Sequence, residues 1–336
     1  NTGLIFYGGT HMSNKPSRAN KFALFLILFS TFISLLLPFV ILKSGIDVEK
    51  AQLALIVLQD LIIILIPVLI YLFLTRTKLT DLIPHEKLTG KNVIYIIIQT
   101  ILISPLIKLV SSVTTLFYPA DVNTEILYYI DSLSFPLAMI ALAVMPAVFE
   151  ELAFRGVILS NYKSTGLLIS ALISSLFFGL FHQDFYQIGY AIVAGVFFSF
   201  IVAYTNSIYA SMLSHFIING TQVAYTKLIL SLIDDSTLQE IITQAEQTGN
   251  DYGTIVYGIF FTLIFTPLLI VTAKKFMEYN KSRKLDYELS ITEKETSEFE
   301  IDIDTIQKSK KKGFIDIYFI LYVIVSVLLT ILYSAV

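Results

Sequence analysis

Three short polar motifs interrupt the apolar stretches of this chain, and together they carry the residue types of a hydrolytic site. Their residues are Glu150, Glu151 and Arg155; Phe178 and His182; and His215 and Asn219. An ionisable side chain at membrane depth costs about 2.5–3.5 kcal/mol even on a lenient scale, so each needs a reason. A carboxylate, two imidazoles and a carboxamide can together activate water and stabilise a tetrahedral oxyanion.

The first motif places two neighbouring carboxylates in different situations. Glu151 and Arg155 are four residues apart, so they share one helix face, and the acid precedes the base as such pairs prefer. We predict that they neutralise each other. Glu150 points about 100° away from Glu151 around the helix axis and has no local partner, so it stays available to bind a proton. The alternative for this motif is a helix end whose charges are solvated at the cytoplasmic surface.

The other two motifs each place a pair of side chains on one helix face at the same four-residue spacing. Phe178 packs one turn before His182, and His215 lies about 6 Å along the axis from Asn219. Taken singly, these residues are equally typical of an interfacial histidine or of hydrogen bonding between membrane helices. Glu150, His182 and His215 follow one another at intervals of 32 and 33 residues, so three separate helices can bring them together.

The elements that position these motifs are predicted to be membrane-spanning helices. Of the 336 residues, 55% are hydrophobic and only 15% are charged, and apolar runs of about 20 residues recur throughout. These runs are continuous, not alternating, which disfavours a β-barrel. We predict an all-α, polytopic transmembrane helical bundle of about nine spans, at residues 21–42, 51–75, 93–117, 135–159, 166–182, 188–204, 207–233, 252–276 and 314–336.

The same pattern predicts the domain organisation. Residues 1–12, which end in Thr10-His11-Met12, have the character of an added tag ahead of a natural start. The other segments are three N-terminal spans (13–134), a catalytic helical core (135–233), an extracellular loop with the eighth span (234–277), a cytoplasmic polar linker (278–313) and a C-terminal span (314–336).

Loop charges predict how the spans are oriented in the membrane. Lysine and arginine cluster before the first span, after the second and after the eighth. By contrast, the loop with Asp121, Glu125 and Asp131, and the stretch with Asp234, Asp235, Glu240 and Glu246, contain neither basic residue. By the positive-inside rule, the N-terminus is cytoplasmic. The net charge of −3 gives no support for nucleic-acid binding, and the absence of cysteine excludes thiolate chemistry.

The three motifs, in this order, resemble those of the CPBP family of intramembrane proteases, which includes the CAAX prenyl endopeptidases and Abi-like proteins. That pattern reads Glu-Glu-x-x-x-Arg, Phe-x-x-x-His and His-x-x-x-Asn, and every key position matches here. The resemblance covers about residues 135–226. It implies an endopeptidase in which Glu150, assisted by His182, activates a water molecule. His215 and Asn219 would then bind the water or the oxyanion, and Glu151 with Arg155 would hold the helix in place.

Several alternatives stay open from sequence. Zinc bound by His182, His215 and Glu150 is conceivable, but a mechanism without a metal or other cofactor is favoured because no His-Glu-x-x-His occurs. The competing functions are a scaffold that binds a sensor kinase or another membrane partner, and a transporter that uses Asp60 and Lys108. These two charges can equally pair with each other or support the core. The expected substrate is a membrane-associated peptide or protein in a bacterial plasma membrane.

The simple span model leaves one inconsistency in depth. At about 1.5 Å per residue, Glu150 lies deep in the membrane, well away from the cytoplasmic end of its helix. His182 falls at the opposite end of its own span from the cytoplasmic side, so the two residues are not at the same depth. We predict that residues 161–169 are not part of a membrane-crossing helix, with a tilted or re-entrant fifth span as the alternative.

Overall fold

The structure, a computed structural model, describes residues 15–45, 47–114, 116–117, 127, 130–234, 236–238, 252–284 and 314–334. Residues 1–12, Asp121, Glu125, Asp235, Glu240, Glu246 and most of the predicted linker lie outside these ranges. The main helices are α1 (Lys15–Ser44), α2 (Val48–Asp60, continued by π-helical Leu61–Leu65 and by Ile66–Thr75), the short α3 (Leu79–Leu82), α4 (Gly90–Thr114), α5 (Phe135–Thr165), α6 (Leu167–Phe181), α7 (Phe185–Thr205), α8 (Ile208–Leu232), α9 (Tyr252–Tyr279) and α10 (Ile317–Ser334).

The fold is the predicted all-α membrane bundle, and the protein is an integral membrane protein. Seven of the described helices are long and apolar enough to cross a bilayer, and each coincides with a predicted span. The two other predicted spans are also helices. However, α6 has only 15 residues, or about 22 Å, and α8 is interrupted by polar side chains.

Helix α5 is the centre of the bundle, and it is not a regular α-helix. It packs against α1, α2, α6, α7 and α8. Two of its segments, Ile140–Val144 and Leu152–Leu159, are π-helical, and the second begins directly after Glu151. A π-helical segment changes which faces of a helix its side chains occupy, and such segments occur frequently at functional sites.

A tight turn at Gly166 sets the depth of His182 and corrects the prediction for residues 161–169. Residues 161–165 continue α5, and α6 begins directly after Gly166, whose φ of +91° favours glycine. Glu150 precedes this turn by 16 residues and His182 follows it by 16. Each arm is therefore about 24 Å long, so the hairpin brings the two side chains level.

Helix α8 reaches the same depth because it starts inside the protein. The Ile208 N–H donates a 2.7 Å hydrogen bond to the carbonyl of Pro84, in the segment after α3. The Ser160 hydroxyl on α5 donates a 2.7 Å hydrogen bond to the carbonyl of Leu82, the last residue of α3 and two residues before Pro84. The start of α8 is thus anchored near Ser160, and His215, about two turns further along, comes level with Glu150.

The beginning of α1, the end of α5 and the segment that leads into α10 meet at a buried polar contact, here called the terminal junction (Asn20, Tyr162, Phe314 and Asp316). The Asn20 amide donates to Phe314 O at 3.1 Å and to Asp316 Oδ1 at 2.9 Å. The Tyr162 hydroxyl bonds to Asn20 Oδ1 and to Phe314 O. This junction ties α1, the end of α5 and the start of α10 together.

Candidate active site

The predicted ion pair between Glu151 and Arg155 is present at the centre of the site. Arg155 Nη1 lies 2.9 Å from Glu151 Oε1, and both side chains are fully buried. Phe178 on α6 and Phe198 on α7 cover the guanidinium, with ring centroids 4.5 and 5.2 Å from its central carbon. A buried charge needs this degree of compensation, and aromatic faces contribute to it.

Gly195 allows α7 to pass close to this ion pair. A Cβ atom at this position would lie 2.9 Å from Arg155 Nη2 and 2.9 Å from Ser175 Cβ. These distances are too short for any larger residue without movement of the guanidinium. The absence of a side chain at Gly195 therefore makes room for Arg155.

His215 connects the two neighbouring glutamates. Its Nδ1 lies 3.1 Å from Glu151 Oε1, and its Nε2 lies 3.7 Å from Glu150 Oε2. The first distance is a hydrogen bond, and because a carboxylate only accepts, Nδ1 is the donor. The ring also stacks on Phe198 at 5.2 Å. The acid that was predicted to be structural thus fixes the orientation of His215 and directs its Nε2 towards Glu150.

Glu150 differs from Glu151 in having no strong partner. Its 3.7 Å separation from His215 is too long for a direct hydrogen bond, and its Oε2 atom is buried without a hydrogen bond in the described part of the chain. Its side chain retains 13% exposure, whereas that of Glu151 is fully buried. The sequence predicted this difference between the two acids.

His182 is held through Phe178, one turn before it. Its Nδ1 lies 2.8 Å from the Phe178 carbonyl, which can only accept, so the proton of the neutral ring is on Nδ1 and Nε2 is an acceptor. The two rings pack edge to face at 4.9 Å, as their spacing predicted, and Phe178 also lies 6.0 Å from the His215 ring. His182 is close enough to His215 and Arg155 to interact electrostatically.

Asn219 lies one turn after His215 on the same face of α8. It is half-buried, and its carboxamide makes no hydrogen bond to the residues that the structure describes. An amide that is partly sheltered and has no partner can donate to a ligand that enters the site. Among the described residues, no hydrogen bond or ion pair joins Asn219 to the other six predicted residues.

Sequence analysis missed several residues that contribute to the site. Phe198 shields both Arg155 and His215, but one phenylalanine among 26 carries no signal of its own. Asp60 on α2 interacts electrostatically with Glu150. It was noted from sequence as a membrane charge that could pair with Lys108 or support the core. Lys108 is exposed and makes no ion pair with Asp60 within the described ranges, so the proposed pairing is wrong.

The arrangement of the side chains bears on whether a zinc ion could be bound. Across the described residues, no three His, Asp or Glu side chains are grouped closely enough to hold a metal ion. His182, His215 and Glu150 are therefore not grouped in the way that the ligands of a zinc ion are. The Nδ1 atoms of both histidines are bonded, to Glu151 and to the Phe178 carbonyl, which leaves Nε2 as the nitrogen that faces the site.

The fold and the site together define a class: an integral membrane protein with carboxylate, imidazole and amide groups at the meeting point of α5, α6 and α8. Residues 132–221 match the family model described as type II CAAX prenyl endopeptidase Rce1-like. The match includes all seven predicted site residues. It confirms the resemblance of this region to the CPBP family of intramembrane proteases.

A curated relative supports the same relationship. The candidate membrane peptidase YdiL of Bacillus subtilis (strain 168) is 31% identical over 126 residues, which cover 37% of this chain and 47% of YdiL. The match thus spans about half the length of that relative. No solved structure matches the chain.

Proposed function

We propose that this protein is an intramembrane endopeptidase that hydrolyses its substrate with a glutamate-activated water molecule. The observation that carries the proposal is the placement of Glu150, a sheltered carboxylate with a free oxygen that faces His215 Nε2 at 3.7 Å. The similarity of residues 132–221 to an endopeptidase family supports it. The name of the Bacillus relative points to the same activity.

The first chemical step assigned to Glu150 is proton abstraction from water. A water molecule between Glu150 Oε2 and His215 Nε2 can hydrogen bond to both, because their separation exceeds that of a direct bond. The carboxylate takes one proton, and the resulting hydroxide attacks the carbonyl carbon of the scissile peptide. Positioned general bases of this kind typically contribute 10²–10⁴-fold in rate.

The second step requires stabilisation of the oxyanion and protonation of the leaving group. The Asn219 amide is a donor in every protonation state, and His215 Nε2 donates when the ring carries both protons. The proton on Glu150 then passes to the amide nitrogen as the C–N bond breaks. The products are a carboxylic acid and an amine, and Glu150 returns to its starting form.

The remaining motif residues assist the reaction by binding the water or by orienting the catalytic groups. His182 Nε2, left free by the bond of its Nδ1 to Phe178, can accept a hydrogen bond from the attacking water while Glu150 takes the proton. Glu151 orients His215, and Arg155 balances the charge of Glu151. Arg155 and Glu151 are therefore positioning residues in this mechanism, whereas Glu150, His182, His215 and Asn219 are the catalytic set.

The substrate class is a membrane-associated peptide or protein. The site lies among apolar helices, so a substrate must enter from the bilayer or from its surface. The predicted membrane orientation places the turn at Gly166, which joins α5 and α6, on the cytoplasmic side. Prenylated proteins are substrates in the CAAX branch of the resembled family, but nothing in this chain selects them over a small membrane peptide.

Substitution of Glu150 tests the function directly. Cells that produce the wild-type protein, Glu150→Gln or the exposed-loop control Glu86→Gln would be compared by mass spectrometry of their membrane-bound peptides. We expect cleavage products with wild type and control, and none with Glu150→Gln at equal expression. A phenotype that survives Glu150→Gln would indicate a scaffold instead, and solute uptake in proteoliposomes without peptide cleavage would indicate a transporter.

The absence of a metal requirement is a separate part of the proposal. Purified protein would be treated exhaustively with a chelator and assayed for cleavage, with its metal content measured in parallel. We expect full activity. Loss of activity that is restored by zinc, and by zinc alone, would overturn the glutamate mechanism while leaving the protease assignment intact.

A further inference from the structure

Basic side chains from two segments that are far apart in the chain converge at one end of the bundle. They lie at the start of α4 and directly after α9, and are here called the basic patch: Lys87, Lys91, Lys281, Arg283 and Lys284. All five are exposed or half-buried. Among the described residues, the acids nearest to them in the sequence are Glu86 and Glu278. The patch therefore has an excess of positive charge.

Neutral contacts hold the two segments of the patch together. Arg283 Nη1 donates a 2.9 Å hydrogen bond to the main-chain carbonyl of Lys87. Beneath it, the Asn280 amide donates to Asn92 Oδ1 at 2.9 Å, and both residues are buried. The positive-inside rule accounts for basic residues in each segment, but not for their convergence. Like charges that neutral bonds bring together repel one another, and an anion bound between them would relieve that repulsion.

Three tyrosines hold two of these cations at the boundary of the membrane. Lys91 Nζ lies 4.2 Å from the ring centroid of Tyr279 and 6.0 Å from that of Tyr95. Lys284 Nζ lies 5.0 Å from the ring centroid of Tyr204, at the end of α7. Contacts of this kind orient an ammonium group, and tyrosine is enriched at the level of the lipid headgroups. The patch is therefore placed where lipid headgroups lie.

The two helices that form the patch also expose apolar side chains to the bilayer. Ile94 and Ile101 on α4, and Leu268 and Val271 on α9, are exposed. A ligand with an anionic headgroup and apolar chains can contact both the patch and these helices. A soluble anion would use the patch alone, so the combination favours a phospholipid.

We propose that the basic patch binds the headgroup phosphates of anionic phospholipids and that the bound lipid bridges the start of α4 and the residues after α9. Helix α9 packs mainly against α4, so such a lipid would strengthen the attachment of α9 to the bundle. This inference does not rest on the proposed function, because it concerns a surface away from the candidate active site.

Lipid titration of the purified full-length protein tests the site. The melting temperature in a mild detergent would be measured with increasing phosphatidylglycerol, which is anionic, and with phosphatidylcholine, which has the same chains but no net charge. We expect phosphatidylglycerol alone to raise the melting temperature, by about 2–4 °C. High salt should weaken the effect, because it screens exposed charges.

Charge-neutralising variants locate the site. Lys87→Gln/Lys281→Gln removes two exposed cations whose side chains make no hydrogen bond or ion pair among the described residues. Since each basic side chain near an anionic headgroup typically contributes about a fivefold factor in affinity, we expect the affinity for phosphatidylglycerol to fall about 20-fold. Arg76→Gln/Lys78→Gln is the matched control: it removes two exposed cations from the segment that joins α2 to α4 and should leave this affinity unchanged.

The outcomes separate a lipid site from its rivals. Equal stabilisation by phosphatidylcholine, equal losses of affinity in the two double variants, or full affinity in Lys87→Gln/Lys281→Gln would each overturn the inference. So would equal protection by inorganic phosphate, or by a peptide of residues 285–304, which are rich in Asp and Glu. A protein that binds phosphatidylglycerol at the patch but cleaves no peptide would leave this inference in place and overturn the proposed function instead.

Discussion

Two buried polar regions of this protein, the active-site cluster and the terminal junction, satisfy their hydrogen bonds to different extents. In the terminal junction, the Asn20 amide donates two hydrogen bonds, its carbonyl accepts one from Tyr162, and that hydroxyl also contacts Phe314 O. Among the four residues of the junction, one buried side-chain atom, Asp316 Oδ2, lacks a hydrogen bond to the described residues. In the cluster, Glu150 Oε2, Glu151 Oε2 and two nitrogens of Arg155 have no hydrogen bond among the described residues. Both regions lie within the bundle and both join distant parts of the chain.

The difference shows what each region contributes. Buried polar atoms without partners reduce stability, and in natural proteins they need a specific explanation. The terminal junction uses its polar atoms to hold helices together. The cluster leaves polar atoms free, as a site must if water and a peptide are to bind there. Substitutions should therefore separate into those that cost stability and those that cost activity.

The largest expected effect on stability comes from Arg155, whose proposed role is to balance the charge of Glu151. Arg155→Ala leaves the fully buried Glu151 without its cation, which typically costs about 3–5 kcal/mol. Thermal or denaturant unfolding in detergent would measure the loss. Arg283→Ala is the control, because Arg283 bonds at the surface to Lys87 O and should change stability by less than about 1 kcal/mol. Equal effects would mean that the cluster needs no internal charge balance.

Asn219 should show the opposite separation, with activity lost and stability kept. It makes no hydrogen bond to the described residues that Asn219→Ala could break, so the free energy of unfolding should change by about 0.5 kcal/mol or less. Loss of one oxyanion donor typically lowers kcat about 10²–10³-fold. Paired unfolding and cleavage assays would test both statements. A stability loss as large as that of Arg155→Ala would place Asn219 among the structural residues.

Gly195→Ala links the two kinds of effect, because the added methyl group would displace Arg155. Its contacts of 2.9 Å with Arg155 Nη2 and Ser175 Cβ predict a loss of about 1–3 kcal/mol, together with reduced cleavage. Gly90→Ala is the matched control, since no atom lies within 4 Å of a Cβ built there. Wild-type activity and stability in Gly195→Ala would show that the guanidinium can move freely.

Tyr162→Phe should have the smallest effect, and only on stability. It removes a hydroxyl from the terminal junction and leaves Asn20 Oδ1 without that donor, which typically costs about 1–2 kcal/mol. Cleavage per folded molecule should equal that of wild type. A loss of activity out of proportion to the loss of folded protein would show that the terminal junction also controls the site.

The sequence was sufficient to predict the helices and two of the local contacts within the candidate site. Every predicted span is helical, because continuous apolar runs in a membrane leave no other way to satisfy the backbone. The pairs Glu151–Arg155 and Phe178–His182 followed from four-residue spacing, which is a local property. The roles of Glu150, His182, His215 and Asn219 in catalysis stay predictions until they are tested.

Contacts between distant segments could not be predicted in the same way. The bond of Glu151 to His215, the shielding by Phe198 and the approach of Asp60 depend on how whole helices pack. The depth of His182 was missed for a related reason: helix α5 was ended at residue 159, whereas it continues to Thr165. A single chain gives no long-range information of this kind, and boundaries are its least reliable local feature.

The equal arms of the hairpin at Gly166 make the site sensitive to a change in the length of either arm. Deleting one residue from either arm would turn its far end by about 100° and shift it by about 1.5 Å. Glu150 and His182 would then face different neighbours, even though every motif residue was retained. The number of residues on each side of Gly166 therefore determines whether the motif residues meet. A homologous chain can lose function by an insertion in either arm that leaves all three motifs intact.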